Sequence, residues 1–202
     1  MIRIAVLVSG GGTNLQALIN AMQEGKFPHA SIELVLSSSD TAYALERAAK
    51  AGIKTAVVRR KDYVSQDLFD LAVVTTLKDH DIDMVVLAGY LSILGPAVIQ
   101  AYPERILNIH PSLIPSFCGK GFYGLKVHEE ALKRGVKVTG ATVHYVNEIP
   151  DGGRILIQKP VMVQDGDTPE ILQKRVMEEA EWIILPEAVR MVSDALDKGE
   201  RV

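Results

Sequence analysis

Asn108 and His110 stand two residues apart in the segment Ile106-Leu107-Asn108-Ile109-His110-Pro111-Ser112, and a spacing of two is the side-chain period of a β-strand. Both side chains therefore leave one face of the strand, and Pro111 keeps His110 extended as the strand ends. An amide donor beside an imidazole can stabilise charge on a carbonyl oxygen and move a proton near neutral pH. Asp151, in Pro150-Asp151-Gly152-Gly153, adds a carboxylate, which close to His110 favours the protonated imidazole. Each residue also has a plainer role open to it: a satisfied core histidine, an asparagine capping a turn, and an aspartate bonding its own backbone.

A second group with chemical potential is Ser9-Gly10-Gly11-Gly12-Thr13-Asn14, which follows the first apolar run. A strand-to-helix turn of this composition presents unpaired backbone N–H groups at a helix start, where anions are favoured. The dinucleotide fingerprint expects glycine where Leu15 stands and an acid at the end of the second strand, and Asp40 comes too late. Gly12, Thr13 and Asn14 suit a single phosphate better than a pyrophosphate. A purely structural turn is the alternative.

The elements that must position these groups are legible as a rhythm. Short apolar runs at 4–8, 32–36, 55–58, 84–87 and 106–109 alternate with helix-like stretches at 15–22, 43–51 and 65–80. That alternation predicts an α/β fold, an open, mostly parallel twisted sheet with helices on both faces. Residues 116–124 carry three glycines and no period, which predicts a loop near the site. Strand-like runs at 138–146 and 155–163 flank the Asp151 turn and predict an antiparallel addition to the sheet. Thr168-Pro169-Glu170 opens a long C-terminal helix with Leu172, Val176, Ala180 and Ile183 on one face, and Pro186 is expected to kink or break it.

Composition narrows the function classes. The 202 residues predict one domain spanning 1–202. Lys and Arg total 22 against 25 Asp and Glu, and the only dense basic run is Arg59-Arg60-Lys61, too short to track a nucleic-acid backbone. No apolar run approaches the roughly 20 residues of a membrane helix, and the N-terminus has the pattern of a core strand rather than a signal peptide. Cys118 is the only cysteine, which excludes an intrachain disulfide and a multi-cysteine zinc site. The expectation is a cytoplasmic protein, a monomer or homodimer, acting on small molecules without nucleic acid, membrane or metal.

The stretch Asn108-Ile109-His110-Pro111-Ser112-Leu113-Ile114-Pro115 resembles the signature of folate-dependent formyltransferases. Leu87-Ala88-Gly89-Tyr90 and Asp151-Gly152-Gly153 match the same family, and the likeness covers nearly the whole chain. It implies a Rossmann-like formyltransferase fold with Asn108, His110 and Asp151 as catalytic residues and 10-formyltetrahydrofolate as formyl donor. The glycine loop resembles the branch of purine biosynthesis that formylates the amino group of glycinamide ribonucleotide, with its phosphate at Gly12, Thr13 and Asn14.

By the same resemblance the pterin meets Leu91, Ser92, Ile93 and Leu94 through their backbone, with Asn108 also at the donor, and Glu181 meets the acceptor's glycinamide portion. Two positions depart from the family. Ser92 stands where many relatives carry arginine, and Gln66 aligns with an arginine near the folate tail, so Lys61, Arg60 or Lys120 is left to supply positive charge. The chain also has an extra residue between Arg175 and Glu181. Relatives that formylate methionyl-tRNA carry a further C-terminal domain and formyltetrahydrofolate hydrolases an N-terminal one, and this chain has room for neither. The competing functions are a formyltetrahydrofolate hydrolase and a nonenzymatic phosphate- or nucleotide-binding module.

Overall fold

The computed structural model describes residues 1–200. In chain order the elements are β1 (Ile2–Val8), α1 (Thr13–Gln23), β2 (Ala30–Ser37), α2 (Tyr43–Lys50), β3 (Lys54–Val57), α3 (Gln66–Asp79), β4 (Met84–Leu87), α4 (Pro96–Ala101) and β5 (Ile106–His110). They continue with α5 (Leu125–Arg134), β6 (Val138–Tyr145), β7 (Ile155–Met162), α6 (Pro169–Val176) and α7 (Trp182–Asp197). The strands form one sheet in the order β3-β2-β1-β4-β5-β6-β7. β1 to β5 pair in parallel, and β6 and β7 run antiparallel to their neighbours, as the two late strand-like runs predict.

The sheet has a core on each face because successive strand side chains alternate. Ile4, Val6 and Val8 pack with Leu15 and Leu18 of α1 and Ile184 and Val189 of α7. Ala5 and Leu7 pack on the other face with Phe69, Val73 and Leu77 of α3 and Val98 of α4. Burial on both sides explains why β1 and β4 are almost continuously apolar, with β4 buried at all four positions.

Strand order reverses at β1: the chain winds outward through β2 and β3, then returns to lay β4 and β5 on β1's other edge. Ligands of open α/β sheets bind outside the strand carboxyl ends at such a switch point. The register places Leu7, Leu87 and Asn108 in one row across β1, β4 and β5. The loops that leave β1, β4 and β5 therefore share one rim.

Two helices go beyond the alternation read from sequence. Pro96 at the first helical position starts α4, and Gly135 in the left-handed region (φ 74°) ends α5. The C-terminal helix also differs from expectation. Pro186 lies inside α7, and the interruption falls earlier, as a π-helical turn over Met177–Glu181. A π turn takes up one residue more than an α turn, and Ala180 and Glu181 within it stay buried while Leu172, Val176, Ile184 and Leu185 keep the flanking helices' faces in the core.

Candidate active site

β5 ends at His110, and its antiparallel pairing with β6 puts His144 directly across from Asn108. Asn108 Nδ2 lies 3.1 Å from His144 Nε2 and 3.4 Å from Asp151 Oδ1. His144 Nδ1 is 2.8 Å from the Tyr145 carbonyl oxygen, which only accepts, so Nδ1 carries the proton. Nε2 faces the Asn108 amide and, at 3.5 Å, Asp151 Oδ1 as well. The His144 ring orients Asn108, and the longer contact of the Asn108 amide to Asp151 is its weaker one.

His110 is almost fully buried. Its Nε2 lies 2.9 Å from the Phe117 carbonyl oxygen and its Nδ1 3.6 Å from Asp151 Oδ2. Nε2–H thus donates to the loop over residues 116–124, and Nδ1 faces the carboxylate. The same loop donates Gly119 N–H to Asp151 Oδ2 at 2.8 Å. Burial tends to push the Asp151 carboxyl up, but the His144 hydrogen bond, the neighbouring His110 imidazole and the Gly119 amide together hold it below its ordinary value.

For His110 the balance runs opposite to the sequence-based expectation. Burial lowers its pKa more than the Asp151 charge and the Phe117 carbonyl raise it, and His144 lowers it further. Asp151 acts in the expected direction, but desolvation of the imidazolium wins. The buried imidazole therefore favours its neutral form in this conformation.

Asp151 itself sits in the left-handed region (φ 55°), which aspartate tolerates better than most residues. The glycines after it are required by space: a Cβ at Gly152 would lie 2.6 Å from Ile149 Cγ2, and one at Gly153 would run into the Tyr145 carbonyl. The turn is thereby folded onto β6, and Asp151 reaches both histidines.

At the end of β1, Gly12 (φ 72°) precedes α1 without any side-chain cap, and a Cβ there would lie 2.6 Å from Ala44 Cβ. Glycine is what lets the loop pass α2 and leave the first N–H groups of α1 uncapped by side chains. Thr13 Oγ1 lies 3.7 Å from Met177 Sδ, and Asn14 Nδ2 donates to Glu181 Oε2 at 2.5 Å. Glu181 is buried, and desolvation pushes its carboxyl up to about 7 despite the Asn14 hydrogen bond. Gly12, Thr13, Asn14 and Glu181 thus share one corner of the rim.

The third corner is the loop after β4. Leu91 N–H donates to Ser9 Oγ at 2.8 Å, joining this loop to the glycine loop. Leu91 and Ile93 expose 63% and 69% of their surface, an apolar face suited to a flat heterocycle. Leu94 is buried in the core, so only its backbone is available to a ligand. Ser92 acts on the buried Tyr90 phenol. Gln66 donates through Nε2 to Asp70 Oδ1 at 2.6 Å and to the Ile93 carbonyl at 3.1 Å, and accepts from Arg60 Nε at 3.1 Å. Its amide braces this loop and Arg60, so the folate-tail contact suggested for Gln66 competes with three existing bonds.

Three participants escaped sequence reasoning. His144 lies on the period-two face of β6, but only the β5–β6 register reveals what it faces. Ser9 gives no signal apart from its place in the glycine loop. His128 on α5 is fully buried with both ring nitrogens unpartnered, and burial, with His110 second, lowers its pKa to about 4. Cys118 borders the site, but burial and then Asp151 push its thiol up, which disfavours a nucleophilic thiolate.

Residues 2–189 match the family model described as formyl transferase. The chain is 44% identical over 199 residues to the human trifunctional purine biosynthetic protein adenosine-3, covering 98% of this chain and 19% of that protein. It thus spans about a fifth of such trifunctional relatives. It is 40% identical to the phosphoribosylglycinamide formyltransferase of Haemophilus influenzae, covering 96% of this chain and 88% of that one. Among solved structures, glycinamide ribonucleotide transformylase 1 from Symbiobacterium toebii superposes with a TM-score of 0.90 at 43% identity, covering 96% of this chain and 88% of the other.

Proposed function

The chain belongs to the formyl transferase family, and from that premise we propose that it transfers a formyl group from 10-formyltetrahydrofolate to the amino group of glycinamide ribonucleotide. The observation that carries this is the convergence of Asn108, His110 and Asp151 on one rim with an uncapped, glycine-built helix start. β1 and β5 are separated by one strand, so the glycine loop and Asn108 lie roughly 10 Å apart. That is the scale of a ribose linking a phosphate to an amine.

In this proposal Gly12, Thr13 and Asn14 hold the acceptor's phosphate, with Glu181 beside it. Leu91, Ser92, Ile93 and Leu94 receive the donor's heterocycle, the exposed side chains of Leu91 and Ile93 by stacking and the others through backbone groups. The acceptor's uncharged amine attacks the formyl carbon, and negative charge grows on the formyl oxygen. Asn108 gives that oxygen the N–H now spent on its weak contact with Asp151. His110 gives Nε2–H once the loop over residues 116–124 releases it from Phe117.

Charge growing on that oxygen favours the imidazolium, and Asp151, held ionised, stabilises it at Nδ1. A His110 that is neutral at rest and gains a proton as the amine loses one can pass that proton to the departing folate nitrogen. Gln66 serves here as a brace at the donor's edge, and Arg60, held by Gln66 at 3.1 Å, is the cation assigned to the donor's anionic tail. The site is proposed to work in the cytoplasm, in a monomer or homodimer, with these two small molecules as its only partners.

The test is a turnover assay on 10-formyltetrahydrofolate with the acceptor varied. Tetrahydrofolate formation should depend on glycinamide ribonucleotide and fall at least tenfold with an acceptor lacking phosphate. Equal rates of donor loss with and without acceptor, accompanied by formate, would instead make the chain a hydrolase. No turnover of any formyl donor would leave a phosphate-binding module.

A further inference from the structure

Asp70 on α3 is fully buried and carries a carboxylate that the chemistry above does not use. Its Oδ1 accepts from Gly95 N–H at 3.1 Å and from Gln66 Nε2 at 2.6 Å, and its Oδ2 is buried without a partner. Gly95 is shaped around it: a Cβ there would collide with Oδ2 and lie 3.0 Å from Cγ. The φ at Gly95 is −87°, so space rather than backbone conformation demands glycine. An unpaired carboxylate oxygen in a core costs stability, and a hydrophobic side chain would fill the same volume at lower cost.

Its two hydrogen bonds show what the carboxylate does. Gly95 closes the loop that begins at Leu91, and Gln66 passes the contact on to the Ile93 carbonyl. Ser9 holds the other end at Leu91 N–H. Residues 91–95 are thus fixed at both ends and in the middle. Among the described residues, the N–H groups of Ser92, Ile93 and Leu94 take no part in those bonds.

We propose that Asp70 is a positioning residue for the formyl-donor site, holding residues 91–95 through Gly95 and Gln66 so that the backbone groups of 92–94 are preorganised for the donor's heterocycle. This rests on the placement of the donor along residues 91–94 proposed above.

The experiment compares Asp70→Ala, Asp70→Asn, Gln66→Ala and Gly95→Ala by amide hydrogen exchange across residues 91–95 and by separate KM values for 10-formyltetrahydrofolate and glycinamide ribonucleotide. Losing both hydrogen bonds should raise the donor KM about tenfold or more in Asp70→Ala, with the acceptor KM within about twofold. Asp70→Asn, which keeps an acceptor for Gly95 N–H, should recover most of that loss. Gln66→Ala, on a half-buried side chain, should give a smaller donor-only effect if Asp70→Ala does not fold. Unchanged exchange at 91–95 in the folded variants, or equal rises in both KM values, overturns the positioning role. Faster exchange with an unchanged donor KM leaves the anchor intact and instead refutes placement of the donor at 91–94.

Discussion

Replacing Glu181 by glutamine should stabilise the protein at alkaline pH and not at acid pH. The carboxyl is 6% exposed and pushed from 4.5 to about 7 by burial. A group whose folded pKa is raised contributes stability that is fully present below its unfolded pKa and lost as pH rises through its folded pKa. The window therefore runs from about 4.5 to about 7. The rise from 4.5 to about 7 corresponds to about 3 kcal/mol between the ends of that window, to order of magnitude. Glutamine keeps an oxygen to accept from Asn14 Nδ2 and carries no charge, so it escapes the loss. Urea unfolding at pH 5 and pH 8 measures this directly. With a slope of about 2 kcal/mol per molar, the variant's midpoint should exceed wild type by about 1 M more at pH 8 than at pH 5. Taking the difference between the two proteins removes groups that titrate alike in both. A variant whose advantage is the same at both pH values would show that Glu181 is not a desolvated carboxyl. Activity should move the other way, with a weaker acceptor KM, because the site holds a destabilising acid where the acceptor is proposed to bind.

Asn108→Ala should lower turnover on the order of 100 to 1000-fold with a near-normal unfolding midpoint, and turnover close to wild type in the folded variant would remove Asn108 from the chemistry. Asp151→Asn removes the charge that favours protonated His110, so the His110 limb of the kcat/KM profile should move to lower pH; an unmoved limb would mean that Asp151 acts only through the turn. Gly12→Ala places a methyl against Ala44 in a left-handed backbone, and should cost about 1 to 3 kcal/mol of stability and weaken inorganic phosphate inhibition at least tenfold. Intact phosphate inhibition in that variant would place the anion elsewhere.

Much of the molecule could be written down from residue order alone, because its causes are local. β1 and β4 show continuous apolar runs since both faces are covered, Thr168 accepts from Ile171 N–H as a helix cap, and residues 116–124 form the expected irregular loop. The strand period likewise dictated that Asn108 and His110 share a face, and family resemblance supplied the chemistry. Helices α4 and α5 were less visible: α4 is only six residues long, and α5 has Gly124 at its start with no side-chain cap.

Other features depended on contacts distant in sequence. His144 meets Asn108 because two antiparallel strands chose one register, and Glu181, at the end of a π turn, reaches Asn14 across 167 positions of sequence. The protonation of His110 depends on the same kind of contact. Charge neighbours are partly legible in a motif, but the desolvation that outweighs them is set by how the whole fold closes over the imidazole. Residue order thus specified which groups this protein has at its sheet rim and which way they leave their strands. Burial and register, which are properties of the packed chain, decided their partners, their charge and which of them are already engaged before any substrate arrives.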